Sequence, residues 1–117
     1  MHSLNDVPLS VIIVNDSEIQ GCDASCGPDW SLSTSLALLK ERIIEKFNDK
    51  IVIDYVDISK GENSQQKLEW HRLIEDNNLS VPLLLVDGEL RMSGQFDIRQ
   101  ILDVIEAHME IKRYAGE

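Results

Sequence analysis

Apolar residues recur along the chain with two alternating periods, which predict strands and helices in turn. The first apolar stretch, residues 8–14, is rich in β-branched side chains and predicts a strand buried on both faces. In residues 30–47 the apolar positions have helical spacing, with charged residues opposite them. This pattern predicts a helix. Its expected buried side consists of Leu32, Leu36, Leu39, Ile43 and Phe47.

A second strand and a second helix follow. Residues 51–58 are again β-branched and predict a strand. Strand, helix and strand joined in this way predict a right-handed parallel crossover, because that hand packs the helix back onto a twisted sheet. The second helix is predicted from residue 64 to about residue 77, with Leu68, Leu73 and Ile74 available for burial.

The next part of the sequence predicts a β-hairpin. Two apolar runs, residues 81–86 and 89–92, flank Asp87 and Gly88. An Asp-Gly pair between two strands is typical of a two-residue type I′ turn. The two strands are therefore expected to pair antiparallel.

A third helix is predicted over residues 97–112, with Asp97 as its N-cap. Its apolar positions have helical spacing and are Ile98, Ile101, Leu102, Ile105 and Met109. The complete order is β-α-β-α-β-β-α. It predicts an α/β fold with a four-stranded mixed sheet flanked by helices.

Composition and charge narrow the range of functions. A chain of 117 residues with 43% hydrophobic and 27% charged residues is expected to form a single domain over residues 1–117, with residues 1–7 flexible. Its apolar runs are too short to cross a membrane, and its N-terminus lacks a signal-peptide pattern, so a cytoplasmic location is expected. The formal charge of −10 argues against nucleic acid as a partner, because such binding requires cationic groups to neutralise phosphate.

Both cysteines, Cys22 and Cys26, lie in a segment, residues 17–28, that is predicted to be a loop leading into the first helix. A cytoplasmic chain of this size does not need a disulfide to stabilise its core. A bridge between these cysteines would therefore be catalytic or regulatory.

The order of elements resembles that of the thioredoxin and glutaredoxin superfamily over nearly the whole chain. The resemblance also rests on Val81-Pro82, the following apolar strand and Asp87-Gly88, and then on Gly94 and Asp97. It implies a thioredoxin-like fold with a cis Val81-Pro82 bond that faces the cysteine loop. It also implies that Val81 and Pro82 shape the substrate-binding strand.

The cysteine segment is similar to two known patterns. Ala24-Ser25-Cys26 is similar to the Cys-Ala-Ser-Cys loop of uncharacterised bacterial YuzD-like proteins, although Cys22 stands one residue too early. Cys26-Gly27-Pro28-Asp29 is similar to the thioredoxin Cys-Gly-Pro-Cys, with Asp29 in place of the second cysteine. Both alignments place Cys26 directly before the first helix.

The spacing of the cysteines limits how they could pair. Residues four apart on a helix have Cβ atoms about 5 to 6 Å apart, whereas a disulfide needs about 3.5 to 4.5 Å. A bond between Cys22 and Cys26 therefore requires a turn, and the flanking Gly21 and Gly27 give the backbone freedom to form one.

These features predict a thiol-disulfide oxidoreductase in which Cys26 attacks a disulfide and Cys22 resolves the mixed disulfide. The partner would be a protein or small-molecule thiol or disulfide. No cofactor is expected, since an external reducing system would regenerate the dithiol.

Two other functions remain open. The domain could be a binding module with inert cysteines, or a glutaredoxin-like protein that binds glutathione, an iron-sulfur cluster or another metal. No metal ligands are assigned, because the histidines lack ligand spacing to the cysteines and are expected on the surface or in packing roles; they are His2, His71 and His108. Trp30 and Trp70 are expected in the core, and the hydroxyl residues at the start of the first helix are expected to cap it; these are Ser31, Ser33, Thr34 and Ser35.

Overall fold

Strands and helices follow one another in the predicted order. The computed structural model describes residues 8–16, 30, 32–59 and 64–115, and for residues 64, 66, 67 and 112–115 it describes the backbone. The elements are β1 (Leu9–Asn15), α1 (Ser33–Phe47), β2 (Ile51–Asp57), α2 (Ser64–Asp76), β3 (Leu83–Val86), β4 (Glu89–Ser93) and α3 (Ile98–Ala115). This arrangement confirms the α/β class with a four-stranded mixed sheet and three helices in the described part of the chain.

The strands form one sheet in the order β2-β1-β3-β4. β1 pairs parallel with β2, from Leu9 opposite Ile51 to Asn15 opposite Asp57. It pairs antiparallel with β3, where Val14 lies opposite Leu83. The hairpin of β3 and β4 completes the sheet. The parallel crossover and the antiparallel hairpin are both as predicted.

Each face of the sheet is covered by helices. Alternate residues of β1, such as Val11 and Ile13, face the core formed with α1 and α3, because successive strand side chains point to opposite faces. Val14 points to the other face and belongs to a smaller apolar cluster against which Trp70 and Ile74 of α2 pack. The predicted apolar positions of α3 all pack on the first core: Ile98, Ile101, Leu102, Ile105 and Met109.

Two predicted core positions are wrong. Leu32 is 51% exposed because α1 begins at Ser33, and Leu32 has extended backbone outside the helical spacing. Leu68 is 61% exposed. Trp70 and Ile74 direct α2 toward the sheet, and Leu68 lies about 200° around the helix from Trp70.

The turn between β3 and β4 matches the sequence prediction, but β4 contains an irregularity that was not predicted. Asp87 and Gly88 have φ angles of 52° and 81°, both left-handed as in a type I′ turn. In β4, Leu90 lies opposite Leu85 and Met92 lies opposite Leu84. Arg91 is therefore the extra residue of a β-bulge.

None of the described helices combines the length and the apolar composition that a membrane span needs.

Two adjacent isoleucines of α1 test which side of this helix stabilises the fold. Ile43 is 2% exposed and Ile44 is 62% exposed. We expect Ile43→Ala to lower the free energy of unfolding by about 2 to 5 kcal/mol, because it removes buried methyl groups and leaves a cavity. Ile44→Ala is the matched control and should change it by less than about 0.5 kcal/mol. Urea denaturation of both variants measures the difference, and equal losses would contradict the assigned helix face.

Candidate functional site

The two cysteines belong to the connection between β1 and α1. Cys22 and Cys26 lie outside the described residues. The connection leaves the sheet at Asp16, which is 9% exposed. Near the other end of the connection lies Trp30, which is 1% exposed. The candidate site is therefore built from the residues around these two positions.

Trp30 anchors the chain directly before α1. Its ring lies against that of Phe96, with ring centroids 5.8 Å apart and an interplanar angle of 33°. Phe96 is 2% exposed and precedes α3, so the pair joins the starts of two helices. The indole Nε1 is buried and has no hydrogen-bond partner among the described residues. The predicted core position of Trp30 is confirmed. Phe96 was missed because it lies outside every periodic segment.

Val81 and Pro82 lie at the same end of the sheet as the start of the cysteine connection. Val14 near the end of β1 pairs with Leu83 at the start of β3, so Pro82 lies beside the carboxyl end of β1. The Val81-Pro82 bond is cis, as the resemblance implied, and Pro82 is buried while Val81 is half-buried.

A set of hydrogen bonds holds this segment in place. The Gly94 N–H donates to the carbonyl oxygens of Ser80 and Pro82, at 2.8 and 3.0 Å. The Ser93 hydroxyl accepts the Ser80 N–H at 2.9 Å and donates to the Ser80 carbonyl at 3.0 Å. Gly94 has a φ of +95°, a left-handed conformation that glycine adopts readily. The roles of Ser80 and Ser93 were not predicted, because serine at the end of a strand carries no distinctive sequence signal.

Polar groups collect where the two parallel strands end. The Asn15 amide donates to the Tyr55 hydroxyl at 3.2 Å. The Asp57 carboxylate accepts the N–H and the hydroxyl of Ser59, at 3.0 and 2.6 Å. Together with buried Asp16, these groups form a polar edge. In open α/β sheets the carboxyl ends of strands are the usual place for ligands.

The start of α1 differs from the prediction. Leu32 occupies the N-cap position and makes no side-chain cap hydrogen bond. Ser33, Thr34 and Ser35 come after the N-cap, so the predicted capping by these residues is wrong; Ser31 lies outside the described residues. The first turn also contains no acidic residue. The partial positive charge of this helix end is thus not offset by a capping side chain of the described helix, and it favours a nearby anion.

Among the described residues, no three His, Cys, Asp or Glu side chains are placed to hold a metal ion. His108 is buried, in agreement with the packing role expected for it, and His71 is half-buried on α2.

A family model described as a protein of unknown function (DUF1462) matches residues 11–106. The chain belongs to the DUF1462 family. The matched region includes Cys22, Cys26, Val81 and Pro82, so the whole candidate site lies within the part of this DUF1462 protein that the family model describes.

The fold is similar to that of a solved structure. It is the crystal structure of a protein of unknown function from Staphylococcus aureus, with a TM-score of 0.60 and 22% sequence identity. The similarity covers 91% of this chain and 95% of the other. At this identity the likeness concerns the fold alone. No curated protein matches the chain.

Ser93→Ala tests how the Val81-Pro82 segment is held. The substitution removes both hydrogen bonds to Ser80 and should lower the free energy of unfolding by about 0.5 to 1.5 kcal/mol. It should also speed hydrogen exchange of the Ser80 amide. Ser33→Ala, an exposed serine of α1, is the control and should change stability by less than about 0.5 kcal/mol. Unchanged exchange at Ser80 would show that Ser93 does not hold this segment.

Proposed function

We propose that this DUF1462 protein is a thiol-disulfide oxidoreductase with a thioredoxin-like fold, in which Cys22 and Cys26 are the redox pair. The main support is topological. The cysteine-bearing connection leaves β1 at its carboxyl end, and the Val81-Pro82 segment lies beside that end. The sheet order β2-β1-β3-β4, with a parallel crossover followed by an antiparallel hairpin, is compatible with a thioredoxin-like fold.

The proposed reaction has two exchange steps. The Cys26 thiolate attacks one sulfur of a substrate disulfide, which forms a mixed disulfide and releases the other substrate sulfur as a thiolate. The Cys22 thiolate then attacks the Cys26 sulfur, forms the Cys22-Cys26 disulfide and releases the second substrate thiolate. The substrate gains two electrons, its thiolates take up two protons from water, and the protein loses two electrons. An external thiol reductant returns the pair to the dithiol.

The local charges allow only modest activation of the nucleophile. The uncapped start of α1 stabilises a neighbouring anion by roughly 0.3 to 1 kcal/mol. Asp23 and Asp29 flank Cys26 in the sequence and oppose a thiolate. No Lys, Arg or His occurs between residues 3 and 39. We therefore propose a slow exchange catalyst that depends on the position of its thiols more than on their ionisation.

The segment beside Pro82 provides a place for a substrate backbone. Ser80 and Pro82 both use their carbonyl groups to bind Gly94. Between them, half-buried Val81 makes no backbone hydrogen bond to another described residue. An extended peptide that carries the target disulfide could pair with Val81 in the manner of an added strand.

A redox titration tests the proposal. The full chain is equilibrated in glutathione buffers of increasing potential, its free thiols are alkylated, and its mass is measured. Since the chain contains 2 cysteines, loss of two alkylation sites reports this pair alone. We expect a two-electron transition, in which a tenfold change in the ratio of disulfide to dithiol corresponds to a change of about 30 mV in the potential. If both cysteines stay alkylatable at every potential, the proposal is wrong and the binding module with inert cysteines is favoured.

Two matched variants assign the roles of the cysteines. Cys22→Ser retains the nucleophile but cannot resolve the intermediate, so it should accumulate a mixed disulfide with an added disulfide substrate. Cys26→Ser should form little or none. The opposite result, visible as the mass of the adduct, would assign the attack to Cys22.

A further inference from the structure

A second group of ionisable side chains lies at the end of the sheet opposite to the carboxyl end of β1. At its centre is His108 of α3, which is 8% exposed. Asp87 reaches it from the hairpin turn, and Glu89 and Arg91 reach it from β4. Asp87 also pairs with Ser10 near the start of β1, whereas the cysteine connection follows the end of β1. This histidine cluster comprises His108, Asp87, Glu89 and Arg91.

The contacts of His108 specify its protonation state. The Arg91 Nη1 atom lies 2.9 Å from His108 Nδ1. A guanidinium group can only donate hydrogen bonds, so Nδ1 must be the acceptor and carry no proton. The single ring proton is then on Nε2, which lies 3.5 Å from Asp87 Oδ2. His108 is therefore neutral in this arrangement.

The bulge in β4 explains why Arg91 can reach α3. In a regular strand, Arg91 and Met92 would point to opposite faces of the sheet. The extra residue at the bulge interrupts this alternation. As a result Met92 packs on the core that contains α3, and Arg91 contacts His108 on the same helix.

Asp87 connects the cluster to the central strand. Its N–H donates to the Ser10 carbonyl at 2.8 Å, and its Oδ1 atom accepts the Ser10 N–H at 3.3 Å. Its other carboxylate oxygen faces His108. One side chain thus joins the start of β1 to α3.

We propose that His108 is a pH-responsive switch that exchanges its hydrogen-bond partner at Nδ1 when it takes up a proton. One proton from water adds to Nδ1, so that Nδ1 and Arg91 become two donors facing each other. The contact must open. The Glu89 carboxylate, 3.9 Å from Nδ1, is the acceptor that replaces Arg91, while Nε2–H keeps Asp87. The result is an imidazolium held between two carboxylates and an Arg91 released from α3.

Charged groups reach His108 from the hairpin. Asp87 of the turn and Glu89 of β4 are acidic, and Arg91 of β4 is basic. On the side of α3 that meets α1, Glu106 pairs with Lys46 at 3.7 Å. Histidine is the side chain that ordinarily changes charge between pH 5 and 8. The proposed exchange does not involve the cysteines.

Nuclear magnetic resonance of the ¹⁵N-labelled full chain between pH 5 and 8 tests the switch. At high pH we expect His108 to carry its proton on Nε2 with Nδ1 bare. As the pH falls, Nδ1 should gain a proton and the Arg91 guanidinium signals should shift with the same midpoint. Assignment uses His108→Gln and His71→Gln. In His108→Gln the pH-dependent shift of Arg91 should be lost, because glutamine accepts from Arg91 without titrating. A proton on His108 Nδ1 at pH 8 would overturn the proposal, as would Arg91 signals that do not shift with the same pH midpoint as those of His108.

Glu89→Gln provides a second test that does not disturb the core, because the Glu89 side chain is 69% exposed. Without this carboxylate the added proton is less stabilised, so Arg91 should shift at a lower pH than in the parent chain. Glu106→Gln is the matched control, since Glu106 lies on the same helix and pairs with Lys46. Glu106→Gln should leave the midpoint pH of the Arg91 shift unchanged. If Glu89→Gln also leaves this midpoint pH unchanged, Glu89 is not the acceptor that replaces Arg91 and the proposed exchange is wrong.

Discussion

Strand β1 is hydrogen-bonded on both edges and buried on both faces. This central place in the sheet determines where most of the other elements lie. β2 pairs with one edge in parallel and β3 with the other in antiparallel orientation. Val11, Ile13 and Val14 have no exposed surface. Full burial of each side chain contributes roughly 1.5 to 3 kcal/mol. Both faces must therefore be covered, by α1 and α3 on one side and by α2 on the other.

The two ends of this strand have different chemistry. At the carboxyl end, the cysteine-bearing connection departs, and the Val81-Pro82 segment and the uncapped start of α1 belong to the proposed redox site. At the amino end, Asp87 binds the Ser10 backbone and links it to the histidine cluster. Strand β1 connects the two ends, and its pairing with β2 and β3 fixes where each end lies in the sheet.

Local sequence signals identified only part of each group. Pro82 and Val81 were recognised because a Val-Pro pair followed by an apolar strand and a glycine turn is a distinctive motif. Trp30 was expected in the core because large aromatic side chains usually are. Ser93 was not identified, since its role depends on its hydrogen bonds to Ser80, which precedes β3. The placement of Cys22 and Cys26 remains a prediction, because both lie outside the described residues.

The sequence by itself determined the order and type of the elements, the buried side of α3 and the Asp87-Gly88 turn. These features follow from periodicity and from backbone preferences, which act over a few neighbouring residues. The tertiary structure alone decided that Leu32 and Leu68 are exposed, that β4 bulges at Arg91, and that Arg91 meets His108. Arg91 and His108 are 17 positions apart in the sequence, and Ser10 and Asp87 are 77 positions apart. Contacts over such separations depend on how whole elements pack, and no local sequence pattern predicts them.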